Sequence, residues 1–218
     1  MNSREKILQR LTQSLRSVEK PSLPPPHEVW PKTNLAPAMM LNRFSDELQE
    51  IHGEVLCCAD LSHAARELAG LVGQAGWTKL GAMDRSILRQ LAAAMPPAML
   101  AWPDAAWSPR RIAELSAGLV APELLIADTG SCLFVCSTTE ERLLCYLPPA
   151  CVVVAYASQL VEHLPAAWPN VMTRAADRSL RGELLIVTGP SRTTDIEKIL
   201  ILGVHGPKRL VVLIVEGE

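Results

Sequence analysis

The sequence predicts an α/β protein: a mostly parallel sheet flanked by helices, with an antiparallel hairpin inserted. Three observations carry this. Short strand-like runs alternate with helix-like segments from Glu54 to Gly118. The runs ACVVVAYAS (150–158) and RLVVLIV (209–215) are continuously apolar, the mark of strands buried on both faces. The segment LLIADTGSCLFVCS sets two apolar runs either side of an Asp-Thr-Gly-Ser turn, a hairpin signal.

Taken in order, residues 3–18 read as a helix capped by Ser3, with Ile7, Leu8, Leu11, Leu15 and Val18 on one face. Residues 21–37 carry six prolines and form an extended connector that Trp30 anchors. The chain therefore divides into an arm and linker (1–37) and an α/β body (38–218). In the body, a helix from Met39 to Ile51 precedes a strand at 54–59. A helix from Leu61 to Ala75 is stopped by Gly76. A strand at 78–82 leads to a helix capped by Asp84, and a strand at 98–102 follows. Ser108-Pro109 opens the helix RRIAELSAG. After the hairpin, TTEERLL reads as a polar loop. The strand at 150–158 is followed by a helix SQLVEHLPAAW capped by Ser158, then a buried strand Leu184–Thr188 and the terminal unit.

Composition narrows the function. Of 218 residues, 49% are hydrophobic and 20% charged, with a net charge of −2, so nothing draws the chain to nucleic acid or an anionic membrane. The start MNSREKILQR has no apolar signal core, and the apolar runs are too short to span a bilayer, so a cytoplasmic protein without membrane insertion is expected. None of the six cysteines forms a CxxC pair. Cys132 and Cys136 share a strand face about 13 Å apart, too far for a common metal or disulfide while both stay in that strand. Buried, reduced thiols are the expectation, with no metal and no iron–sulfur cluster in this chain.

The strongest chemical signal is GPSRTTDIEKILILGVHGP (189–207). Gly189 ends a strand, and Pro190, Ser191, Arg192 and Thr193 turn. Thr194 stands as a helix N-cap with Glu197 at capping-box spacing. Free N–H groups at that terminus, hydroxyls and a guanidinium would hold a carboxylate or phosphate at Gly189, Ser191, Arg192, Thr193, Thr194 and Asp195. Pairing of Arg192 with Asp195 or Glu197 is the competing, purely structural reading. His205 and Gly206 follow the helix. A second polar cluster is Asp128-Thr129-Gly130, although any hairpin turn favours Asp and Gly. Glu123 is a third carboxylate, and Arg142 reads as a solvated loop charge. GxGxxG, P-loop, HExxH and GxSxG patterns are missing, and no catalytic residue is assigned.

IADTGSCLF, LPPACVVV and TGPSRTTDIEKILILGVHGPKRLVVLIV together resemble the LUD-domain family of lactate-utilisation protein C, closely from Leu119 onward and in general layout over 39–118. The resemblance implies a fold similar to the sugar-phosphate isomerase and CoA-transferase group. It also implies a cytoplasmic subunit of a system that oxidises L-lactate to pyruvate, beside partners that carry the iron–sulfur clusters. By motif it singles out Asp128, Thr129, Gly130, Gly189, Pro190, Ser191, Arg192, Thr193, Asp195, Glu197, His205 and Gly206. Two departures stand out: GLVAPELLIAD before the hairpin, and Cys151 where relatives carry a His. Two other readings stay open. One is a free-standing binder or enzyme for a phosphorylated or CoA-linked small molecule, with Glu123 or Glu197 as nucleophile or base. The other is a non-catalytic assembly or regulatory subunit using the arm.

Overall fold

The computed structural model describes residues 3–16, 34–176, 183–194, 200–202 and 206–217. The chain falls into two compact units, Met1–Lys32 and Thr33–Glu218. The first contains helix α1 (Ser3–Arg16). Among the described residues no helix is long and apolar enough to cross a membrane.

The second unit opens with α2 (Pro37–Glu50), β1 (Glu54–Cys58) and α3 (Leu61–Ala75). Next come β2 (Leu80–Ala82), α4 (Ser86–Ala92), β3 (Leu100–Ala101), α5 (Pro109–Ala113) and β4 (Ala117–Val120). The hairpin is β5 (Leu124–Ile126) and β6 (Ser131–Cys136), followed by α6 (Thr139–Leu144) and β7 (Ala150–Tyr156). The chain continues with β8 (Leu160–Val161), α7 (Leu164–Ala176), β9 (Glu183–Val187), β10 (Arg192–Thr194), β11 (Leu200–Leu202) and β12 (Arg209–Val215).

Six strands form the main sheet in the order β1-β12-β7-β4-β2-β3, every neighbouring pair parallel. Its centre is β12 and β7, where Cys151 to Ala155 and Val211 to Val215 are fully buried. Burial on both faces is why these strands are continuously apolar rather than alternating. The hairpin belongs to a second sheet, β8-β5-β6-β9, in which β5–β6 and β6–β9 are antiparallel and β5–β8 parallel. α7 covers a small separate core there, formed by Leu124, Ile126, Leu133, Ala167 and Val171. The α/β class and the inserted hairpin are thus as expected.

Helix ends follow the sequence where a side chain fixes them. The Asp60 carboxylate accepts from His63 N at 2.7 Å, and Gly76 takes φ 64° to close α3. Ser108 caps α5, accepting from Arg111 N at 3.3 Å. Elsewhere the structure corrects the reading. Asp84 is no cap; it pairs with Arg89 Nε at 2.8 Å, and Arg85 occupies the N-cap position. The helix predicted through Gly118 ends at Ala113, and Ala117–Val120 is a central strand. Gly118 is needed there because a Cβ would lie 2.1 Å from the Leu144 carbonyl oxygen. TTEERLL is α6 rather than a loop, capped by Thr138, whose hydroxyl accepts from Glu141 N at 3.2 Å. Ser158 starts no long helix: residues 157–159 make one tight turn, β8 follows, and α7 begins at Leu164.

The terminal unit differs most. β9 is not a buried strand of the parallel sheet. It is the edge of the second sheet, with Leu184 and Ile186 45% and 46% exposed. Thr194 and Leu200–Leu202, expected at the start and end of a helix, pair instead as an antiparallel ribbon, Arg192–Thr194 against Leu200–Leu202, while residues 195–199 lie outside the described residues. Thr193, Thr194 and Ile201 are β-branched, which suits strand pairing better than helix.

Candidate functional site

In parallel α/β sheets ligands settle outside the carboxyl ends of the strands. Here a cleft of about 250 Å³ lies at the adjacent ends of β7, β4 and β2. β2 exits through Met83-Asp84 to Arg85, β4 through Ala121-Pro122 to Glu123, and β7 at Tyr156. Val135 of β6 and Arg174 of α7 complete the wall.

Gln159, Arg85, Glu123 and Arg174 of the cleft are each held by a partner. Gln159 is a clamp: its Oε1 accepts from Tyr156 N at 2.7 Å, and its Nε2 donates to the carbonyls of Pro122 at 2.7 Å and Glu123 at 3.1 Å. That ties the exits of β7 and β4 together. Arg85 lays its fork on Glu141, with Nη1–Oε1 at 2.5 Å and Nη2–Oε2 at 2.9 Å, and Nη2 also donates to Val135 O at 3.3 Å. Glu141 is buried and accepts in addition from Ser137 N at 2.8 Å. Arg174 donates to Glu123 Oε1 from Nε at 3.1 Å and Nη2 at 2.9 Å.

The two ion pairs differ in kind. Arg85–Glu141 is mostly enclosed, so it fixes the plane of the Arg85 fork rather than adding net stability. Arg174–Glu123 is half in water and worth little by itself. An incoming carboxylate or phosphate can take the place of Glu123 on Arg174, and a guanidinium offers such a group two parallel bonds. The cleft can thus accept an anion by exchanging one exposed pair.

The motif residues lie elsewhere. Glu123 and Asp128 flank β5, so by the rise of a strand about 16 Å separates the cleft from the Asp128 turn. At that turn Gly130 takes φ 60°, and a Cβ there would meet Leu48 N at 2.5 Å, so glycine lets the hairpin press on α2. Thr129 Oγ1 and Ser131 Oγ are 2.8 Å apart, and Ser131 Oγ lies 2.7 Å from Thr188 Oγ1. This hydroxyl chain brings Asp128–Ser131 beside Gly189, which takes φ 79° against Ile51. Ser191 N donates to Pro207 O at 2.8 Å, and Gly206 packs on Ser191, so the two ends of the C-terminal motif close on each other. Arg192, Thr193 and Thr194 sit in the β10–β11 ribbon, so the helix dipole invoked for the anion cradle is absent at Thr194. Asp195, Glu197 and His205 lie outside the described residues.

The remaining candidates resolve simply. Arg142, read as a solvated charge, is paired with Glu183. Cys151 is fully buried in β7, and burial pushes its thiol up to about 12, so it is a neutral core side chain. Among the described residues no group of three or more His, Cys, Asp or Glu is placed to hold a metal ion. Arg85, Tyr156, Gln159 and Arg174 went unnoticed in the sequence. Arg85 carried a signal, an arginine just past a short strand; Arg174, far along the chain in a helix, carried none.

Comparison with known proteins adds to this. The LUD domain model matches residues 41–215. Lactate utilization protein C of Bacillus licheniformis is 28% identical over 110 residues, 50% of this chain and 46% of that protein. The protein of the same name from Bacillus pumilus is 30% identical over 111 residues, 50% and 46% respectively. The chain thus spans about half the length of the curated relatives it matches. A DUF162 family protein from Deinococcus radiodurans is 19% identical, with a TM-score of 0.59 over 84% of this chain and 99% of that one, and has the same fold.

Proposed function

The chain belongs to the LUD-domain family, and from that premise we propose that it serves lactate utilisation as a carboxylate-binding subunit. It acts in the cytoplasm within a complex that oxidises L-lactate to pyruvate, whose iron–sulfur clusters belong to partner subunits. The names of its relatives support the lactate role. The observation that carries the site assignment is the cleft where the Arg85 fork is fixed by Glu141 and Arg174 pairs with the partly exposed Glu123. Lactate and pyruvate each bring one carboxylate, which suits exchange with the Glu123 side chain on Arg174.

The test is genetic and then biochemical. In a strain lacking the gene, the wild-type chain restores growth on L-lactate and Arg174→Ala restores it poorly. Growth on lactate that does not depend on the gene would end the lactate reading. The purified chain alone is expected to be colourless and inactive on lactate; oxidation by the single chain would overturn the subunit role. An arginine fork takes phosphate as readily as carboxylate, which keeps a phosphorylated or CoA-linked ligand as the second reading. A thermal-shift series with lactate, pyruvate, sugar phosphates and CoA esters separates the two, because a ligand at 100 times its Kd adds about 2.7 kcal/mol to stability.

A further inference from the structure

The two guanidiniums in the wall of the cleft are not equally available. Arg85 Nη1 donates to Glu141 Oε1 at 2.5 Å and to Asp84 O at 3.1 Å, and Nη2 donates to Glu141 Oε2 at 2.9 Å and to Val135 O at 3.3 Å. Each terminal nitrogen carries two hydrogens, so all four are taken. Arg174 differs. Its Nε at 3.1 Å and its Nη2 at 2.9 Å both donate to a single oxygen, Glu123 Oε1. A ligand with two parallel oxygens satisfies that edge better than Glu123 does. Exchange in this cleft therefore happens at Arg174, and it admits one planar acid group.

A displaced Glu123 stays close. Its N donates to Leu133 O at 2.8 Å, and its carbonyl accepts from Gln159 Nε2 at 3.1 Å. With the backbone tied on both sides, the side chain swings only about its own bonds, and its carboxylate remains beside whatever binds Arg174. Charge then decides what can bind. Before exchange two guanidiniums, Arg85 and Arg174, balance two carboxylates, Glu141 and Glu123. Among the described residues the wall of the cleft adds no other charged side chain. A monoanion leaves the cleft with one surplus negative charge and a dianion with two. Each further like charge at about 6 Å in a half-wetted site weakens an anion on the order of tenfold.

We infer that Glu123 is a resident competitor that filters ligands by charge: it restricts the Arg174 site to small carboxylates with a single negative charge and turns away phosphates and dicarboxylates. This rests on the carboxylate reading of the cleft and narrows it. A guanidinium alone takes phosphate as readily as carboxylate, and the tethered carboxylate beside it separates the two. The rest of the wall agrees. Ile87, Pro122 and Val135 give apolar surface, and Ser86 and Tyr156 carry hydroxyls. Such a wall suits an uncharged remainder on the ligand rather than a second acid group.

The experiment is isothermal titration of the full chain at about pH 8, where phosphate is mostly the dianion, and at fixed ionic strength. The probes are pyruvate as the monoanion, and malonate and inorganic phosphate as the dianions. Wild type should bind pyruvate, with malonate and phosphate at least about tenfold weaker. Glu123→Gln should bind all three more tightly and bring the dianions to within about threefold of pyruvate. Arg174→Ala should lose pyruvate. If wild type takes phosphate or malonate as tightly as pyruvate, or if Glu123→Gln leaves the ranking as it was, the filter is refuted while the carboxylate site stands. If no probe binds either wild type or Glu123→Gln, or if pyruvate binding is indifferent to Arg174→Ala, the carboxylate reading itself fails and the filter with it. The wild-type ranking decides the matter even where a variant does not fold.

Discussion

Replacing Glu141 by glutamine tests whether the cleft's floor is built as described. The carboxylate accepts three hydrogen bonds, two from Arg85 and one from Ser137 N. Glutamine keeps one oxygen and turns an NH2 toward one of those donors, so a charged bond is lost and two donors face each other. A charge-assisted bond is worth about 1.5–3 kcal/mol, and orphaning a fully buried ion costs about 3–5. Arg85 is a third exposed, so water screens part of that cost and the expected loss is about 2 kcal/mol. For a domain of this size that lowers Tm by about 4–8 °C. Urea unfolding of Glu141→Gln, Arg85→Met and the double variant Arg85→Met/Glu141→Gln gives the comparison. The double variant should be at least about 1 kcal/mol more stable than the sum of single effects, because no charge is left unpaired. Single variants within about 0.5 kcal/mol of wild type, or strict additivity, would refute the pairing as the support of Arg85.

Three further outcomes follow from the same geometry. Gly130→Ala, with φ 60° and a Cβ 2.5 Å from the Leu48 backbone, should cost about 3 kcal/mol, whereas Gly70→Ala, open within 4 Å in a helix, should gain about 0.5–1; paired urea titrations compare them. Stability should fall with alkali. Cys151 holds its proton to about 12 in the fold, while an unfolded thiol loses it near 9. Its contribution is whole below that lower value and declines by about 1.4 kcal/mol per pH unit above it; Cys151→Ala should flatten the denaturation profile between pH 9 and 11, and an unchanged slope would count against burial as the cause. Arg192→Ala should abolish lactate-dependent growth without lowering Tm if the ribbon also contacts the anion, and normal growth would leave the cleft as the sole carboxylate site.

The elements legible in the sequence were those whose signals are local. α3 was ended by Gly76, the hairpin marked by its Asp-Thr-Gly-Ser turn, and β7 and β12 by unbroken apolar runs. β4 escaped because Gly118 is there to let the Leu144 carbonyl pass, and that demand comes from α6, not from neighbours in sequence. α6 carried a Thr-x-x-Glu start at Thr138–Glu141 that went unused among polar residues. The capping-box spacing at Thr194–Glu197 misled, since strand pairing to Leu200–Leu202 overrides a cap signal. Of the cleft, Glu123 is legible in the sequence, whereas Arg174 reaches it through tertiary packing over 51 positions of chain and Arg85 joins the same wall by pairing with Glu141, 56 positions away.

The order of the main sheet has a consequence for biogenesis. β12, the latest strand along the chain, lies between β1 and β7, and its Arg209 grips Glu54, 155 residues earlier. On a ribosome, β1 and β7 emerge with their facing edges open and cannot pair with each other. The nascent chain therefore carries two bare apolar edges until Val215 has been translated, and needs shielding in that interval. Stalled chains ending before Arg209 should be digested by protease within the sheet, while chains extended past Val215 resist; protection of the shorter chains would show that the centre closes without β12.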